Sequence, residues 1–201
     1  MGKRQEAALE TRQKLIDAMR NLLQEKEADS IGIEEITVRA GVAKGTFYSY
    51  FKRKEDVISV IAMECYQVVR ENALQFSGGA YEQLCSYLRD SAKIIKKNTL
   101  QIAQNWIKSV DAPLPGEQGG IDKYRFDYDH IMEMIKRAIE CGELRPDAPC
   151  VLMARSIMNS YYGAVLSWCI TKGEAELIEN IENYCAYELK LLIENYKNKE
   201  S

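Results

Sequence analysis

The residues best equipped for chemistry crowd into one stretch, GVAKGTFYSYFKRKEDV, from Gly41 to Val57. Thr46, Tyr48, Ser49 and Tyr50 bring hydroxyls, Lys44, Lys52, Arg53 and Lys54 bring positive charge, and Phe47 and Phe51 bring apolar rings. Hydroxyls and ammonium groups at this density suit phosphate oxygens and base edges. They do not suit turnover. The one histidine, His130, has no partner at metal-ligand spacing, and the chain carries no HExxH, CxxC, phosphate-binding loop or dinucleotide fingerprint. No nucleophile paired with a base is apparent. An enzyme, a metal centre and a cofactor are all unexpected, and His130 reads as a polar group hydrogen-bonded in a pocket or at the surface.

The charge distribution agrees. The chain of 201 residues has a net charge of −3, yet residues 1–54 hold 11 Lys and Arg against 8 Asp and Glu. A basic head on an acidic body fits a protein that meets a polyanion at one end only. The start, MGKRQEAALETRQ, is polar, and no apolar run approaches the ~18 residues of a membrane span, so a cytoplasmic protein is expected. Six scattered cysteines (Cys65, Cys85, Cys141, Cys150, Cys169 and Cys185) fit reduced thiols better than a disulfide scaffold.

What must position the chemistry is helical throughout. Leu15, Ala18, Met19 and Leu22 recur at helical spacing and predict a helix over about 7–27. IEEITVRA predicts a short helix closed by Gly41, because glycine accepts the left-handed backbone of a helix end. A second short helix is expected from Lys44 to Tyr50, and a long one over 54–75. Further helices are expected over about 81–97, 99–109, 120–141, 148–171 and 174–197. On the 120–141 helix, Tyr124, Tyr128, Ile131, Ile135 and Ala138 or Ile139 form the expected buried face. No strand-like alternation appears, so the fold class is all-α.

Two short helices joined by a tight glycine turn make a helix-turn-helix, whose second helix enters the DNA major groove. Ala40, Val42 and Phe47 can lock the pair together and Phe51 can anchor its far end. Lys44, Thr46, Tyr48, Ser49 and Tyr50 are then left facing outward, and Gly45 has no side chain to hold a phosphate away.

This stretch closely resembles the signature of the TetR family of bacterial transcriptional regulators. Ile36, Ala40, Gly41, Val42, Lys44, Gly45, Thr46, Phe47, Tyr48, Tyr50, Phe51, Lys52, Lys54 and Glu55 all fall at that family's spacing. A weaker likeness, AIECGELRPDAP, resembles the family's loop between its seventh and eighth helices. The resemblance implies a three-helix DNA-binding domain over 1–53 and an effector-binding and dimerisation domain over 54–201. It implies DNA contacts from Thr46, Tyr48, Ser49 and Tyr50, a phosphate contact from Lys54, and additions from Thr37, Lys44 and Gly45. Ala43 and Ile33 depart from the pattern, standing where many members have a capping serine and threonine.

In the body, apolar stripes run through Val151, Ala154, Met158, Tyr161 and Val165, and through Ile178, Ile181, Cys185, Leu189 and Leu192. Leu152, Ile157, Leu177, Tyr184 and Leu191 add apolar residues outside these stripes. Helices apolar on more than one side bury more than one side, which points to a homodimer through the last two helices. Aromatics between the fourth and eighth helices would suit a small, largely apolar or aromatic effector. Tyr66, Trp106, Tyr128, His130 and Tyr162 are the residues expected to line its pocket. The resulting expectation is a repressor that binds a palindromic operator as a dimer and is released by an effector. The alternative is a helical thiol sensor or interaction module that does not bind DNA.

Overall fold

A computed structural model of the chain describes residues 2–97, 100, 103, 104, 107 and 119–198. These are helical, without a named strand, and fall into two compact units, Met1–Cys65 and Tyr66–Ser201. Among them no helix is long and apolar enough to cross a membrane.

The first unit is built on α1 (Lys3–Glu25). Its buried face carries Leu15, Ile16, Ala18, Met19 and Leu22, and a 3-10 turn, Ala28–Ser30, follows. α2 (Ile33–Ala40) begins after Gly32, so Ile33 occupies the first helical position and no side chain caps the end. Two ion pairs tie α2 to the end of α1. Arg39 reaches both oxygens of Glu25 at 2.8 and 2.9 Å, and Lys26 meets Glu35 at 2.6 Å. The first is exposed and the second half-buried, and both contribute modestly.

Gly41 then takes φ 68° and ψ 33°. Its N–H donates to Val38 and that of Val42 to Thr37, the paired bonds of a glycine-terminated helix end. The chain turns directly into α3 (Lys44–Tyr48), which is only five residues long. A helix this short has little stability of its own. Phe47, wholly buried, and Phe51, nearly so and 5.8 Å from it ring to ring, hold it down. Arg12 lies 5.2 Å from the centre of the Phe51 ring.

α4 (Lys54–Gln75) starts where the Asp56 carboxylate accepts the N–H groups of Lys52 and Arg53 at 2.9 Å each. Lys54 turns away from solvent. Its ammonium donates to the carbonyls of Ala28, Asp29 and Ile31 at 2.9, 3.1 and 2.9 Å. All three donors of the lysine are spent on closing the 3-10 turn.

The second unit takes the end of α4, then α5 (Ala80–Lys97), α6 (Gly119–Glu140) and α7 (Cys150–Ile170). Residues 100, 103, 104 and 107 are helical; the rest of the 99–109 helix expected from sequence lies outside the described residues. The final helix runs as α8 (Leu177–Asn183), a π-helical stretch (Tyr184–Leu189) and α9 (Lys190–Tyr196). In an α-helix every fourth residue drifts by about 40° around the axis. The wider π winding turns that drift back. Ile181, Cys185, Leu189 and Ile193 therefore all stay buried, while Asn183, Tyr187 and Leu191 all stay exposed. Glu143, in the loop after α6, clasps the Ala80 N–H with both oxygens at 2.8 and 2.9 Å and so caps α5. A methyl group at Gly79 would meet that carboxylate at 2.4 Å.

The α6 face differs from the expected one. Lys123, Asp127, His130, Ile131, Met134, Ile135 and Ala138 are buried, whereas Tyr124 is 41% exposed and Tyr128 only half-buried. The helix is turned by about one residue at its start because a polar pair, not the tyrosines, faces the core.

The Lys54 clamp gives a first prediction. Lys54→Met orphans three carbonyls and should cost about 1–3 kcal/mol, read as a lower urea midpoint. Lys44→Met, at an exposed position, is the control; equal midpoints for the two variants would refute the clamp.

Candidate functional site

The head brings most of its expected DNA-contacting side chains onto one surface. Phe47 pins α3 from beneath, leaving Lys44, Gly45, Tyr48 and Ser49 exposed and Thr46 and Tyr50 half-buried. Tyr48 is 53% exposed and stands edge-on to Phe47, 5.6 Å ring to ring. A side chain added at Gly45 would meet nothing within 4 Å, so the surface beside it is open. Lys44 makes no ion pair among the described residues, while Arg20, Lys26 and Arg39 are all paired with carboxylates.

Two expected contacts have other work. Thr37 is only 2% exposed, and its hydroxyl donates to the Glu34 carbonyl at 2.9 Å. Lys54 is committed to the three carbonyls of the 3-10 turn. The first faces the head's core and the second has no donor left, so neither side chain is presented to a phosphate. Ala40 and Val42, expected as locks, are half-buried beside the wholly buried Phe47.

The second unit gathers a polar cluster inside its core. Asp127 of α6 has no exposure to solvent. Tyr87 of α5 donates its hydroxyl to Asp127 Oδ1 at 2.5 Å and Tyr162 of α7 donates to Oδ2 at 2.7 Å. Lys123, one turn back on α6, makes a direct ion pair with Oδ1. The Lys123 ammonium also lies 3.8 Å from the centre of the Tyr66 ring and 5.9 Å from that of Phe126, within cation–π reach. Burial pushes the Lys123 pKa down, opposed by Asp127. Burial, reinforced by Asp127, drives the Tyr87 and Tyr162 hydroxyls upward, so both stay protonated donors.

His130 flanks this cluster. Its ring stacks on Phe126 at 5.6 Å and leans on Tyr87 at 5.3 Å. Burial first, then the charge of Arg70, pushes its pKa down to about 4, so the imidazole is neutral near pH 7. Its Nδ1 lies 3.6 Å from Glu133, too long for a hydrogen bond, and its buried Nε2 has no partner among the described residues. Ser91 and Tyr161 are buried alongside. Among the described residues neither Ser91 Oγ nor Tyr161 Oη finds a hydrogen-bond partner.

Of the expected effector residues, Tyr66, His130 and Tyr162 thus meet around Asp127. Tyr128 does not; it borders an open groove of about 680 Å³ with Met132, Glu133, Lys136 and Arg137. Trp106 lies outside the described residues. Asp127 and Lys123 are new to the site. The available signal was their i,i+4 spacing in register with Ile131 and Ile135, which puts both charges on the apolar face. All six cysteines are free thiols. Cys85 and Cys185 are both buried, and their mutual influence lowers the Cys85 pKa and raises that of Cys185.

Known proteins carry the same plan. The model described as "Bacterial regulatory proteins, tetR family" matches residues 15–61, from α1 into α4. The transcriptional regulator AcrR of Shigella flexneri is 24% identical over 204 residues, covering 95% of this chain and 93% of its own. The fatty acid metabolism regulator protein of Bacillus subtilis is 24% identical over 195 residues, covering 92% and 95%. The crystal structure of Bacillus subtilis FadR in complex with stearoyl-CoA superposes with a TM-score of 0.62 over 90% of this chain and 97% of its own, at 19% identity. The chain is thus similar to the TetR family of bacterial transcriptional regulators, through the family model over residues 15–61 and through relatives aligned along nearly its whole length.

Proposed function

We propose that the protein is a repressor that binds a palindromic operator as a homodimer and is released by a small effector held in its body. Residues 1–53 form the reading head and residues 54–201 the effector-binding and dimerisation domain. The observation that carries this reading is the outward row on α3. Lys44, Gly45, Tyr48 and Ser49 are exposed with Thr46 and Tyr50 beside them, and the side chain that could compete for burial, Phe47, is fully spent on the core. Hydroxyl, backbone and ammonium donors on one short helix match phosphates and base edges.

The second support is a seam on α7. Leu152, Ser156, Asn159, Gly163, Leu166 and Ile170 are all exposed and recur at alternating steps of four and three, the period of a helix-pairing face. Ile170 is 69% exposed, and Tyr187 and Leu191 of the last helix are similarly open. Val151, expected within the buried stripe, is exposed as well, while Ile157, Leu177 and Tyr184 are buried within the chain. Large apolar side chains with small and polar residues at the middle of the row suit two copies packed closely as a four-helix face.

Control follows from differential binding. The effector must prefer a dimer whose recognition helices no longer match successive major grooves about 34–36 Å apart, since equal affinity for both forms shifts nothing. Tyr66, Tyr162 and His130 around Asp127 are the residues assigned to the effector.

Two outcomes are expected. Genomic fragments selected by the purified protein should share an inverted repeat. On such a fragment Lys44→Ala should weaken binding across all sites and reduce the log–log salt slope by about 1. Tyr48→Phe should also weaken binding with helicity intact, and unchanged affinity in both variants would remove α3 as the reader. Second, Leu152→Glu combined with Ile170→Glu should give a folded monomer by sedimentation and abolish operator binding at the same chain concentration. A persistent dimer would locate the interface elsewhere.

A further inference from the structure

We propose that the Lys123 ammonium is an internal stand-in for the effector's own cation, and that the body takes an organic ammonium ion with an apolar body, which replaces Lys123 between Asp127 and the Tyr66 ring. The proposal rests on the reading of this unit as an effector domain and names the chemical class of its ligand.

One half of the charge pair is fixed and the other is movable. The Asp127 carboxylate is held from two other helices, by Tyr87 on Oδ1 and Tyr162 on Oδ2. Those hydroxyls stay protonated and would hold the same oxygens with any cation in place. Lys123 instead sits on a four-carbon stem in the second turn of α6, and among the described residues its head is engaged by Asp127 and two ring faces. A carboxylate with aromatic faces around a cation is the arrangement that recognises alkylammonium groups.

The surroundings select for positive charge. The imidazole at the wall, His130, is neutral near pH 7 and adds no repulsion. Arg70 is engaged by Glu133 at 3.1 Å. An anionic ligand would have to draw Lys123 off Asp127 and leave a wholly buried carboxylate without its counter-ion, the costly way to break such a pair. A cationic ligand exchanges one buried cation for another. Lys123 returns to water as the ligand leaves it, so the two desolvation terms nearly cancel and the ligand's apolar body decides the affinity.

Calorimetric titration of the full chain with decyltrimethylammonium, decanol, decanoate and decanoyl-CoA tests the proposal. The ammonium should bind at least about tenfold more tightly than its neutral or anionic counterparts. Tyr66→Leu, which alters no charge, should remove roughly tenfold of that affinity. Lys123→Met should strengthen ammonium binding, because the internal competitor is gone. Tight binding of decanoate or decanoyl-CoA that Lys123→Met weakens would overturn the proposal, making Lys123 the anchor of an anionic effector and leaving the effector-domain reading intact. Absence of binding by all four probes would overturn both the proposal and the assignment of an effector to this cluster.

Discussion

A carboxylate with no access to water has to be answered from within the protein, and Asp127 imposes that condition on the whole second unit. Its neutralisation fixes what three helices must carry: a tyrosine on α5, a tyrosine on α7 and a lysine one turn earlier on α6. Replacing such a buried pair with apolar residues of similar volume is commonly neutral or stabilising, so stability alone gives little reason to keep it. What distinguishes the pair is its setting. Its geometry is specific, its partners come from separate elements, and its neighbours Tyr66, Phe126 and His130 form an aromatic wall instead of an aliphatic one.

The head solves a different problem with the same economy. A five-residue helix cannot hold itself together by its own backbone bonds, so its order comes from what it is packed and tied against. Phe47 supplies the burial, the left-handed Gly41 sets the entry angle, and Asp56 caps the helix that follows. Lys54, from the start of α4, locks the turn between α1 and α2. Because these anchors all lie on one side or beyond the ends, the other side of α3 is free to carry donors. The reading surface is what remains after the fold has taken what it needs.

This difference explains what could be read from sequence. In the head each structural need falls on a residue type that announces itself: a glycine for the left-handed turn, a phenylalanine among polar neighbours, and hydroxyls with no apolar periodicity. The fold class, the helix-turn-helix and the outward row on α3 were therefore legible. Lys54 was not, because a basic residue at a helix start looks the same whether it faces solvent or three carbonyls. In the body, hydropathy placed Tyr124 and Tyr128 inward and missed Lys123 and Asp127. Two opposite charges one turn apart read as an exposed surface pair unless their register with Ile131 and Ile135 is given more weight than their polarity.

The same reasoning separates the two faces of the last helix. A strict α-helix would carry the row Ile181, Cys185, Leu189 and Ile193 progressively around its axis, and the row Asn183, Tyr187 and Leu191 with it. The π-helical stretch cancels this rotation, so one row stays in the core and the other in solvent over the whole length. A π-turn has poorer hydrogen-bond geometry than the α-helix it interrupts, and its persistence needs a compensating gain. Burial of Cys185 and Leu189 supplies part of that gain. The remainder is a straight exposed line ending in Tyr187 and Leu191, which is of use to a single chain only if another surface covers it. The π-helical stretch and the exposed α7 row thus have one thing in common, an unbroken line of exposed side chains along one side of a helix.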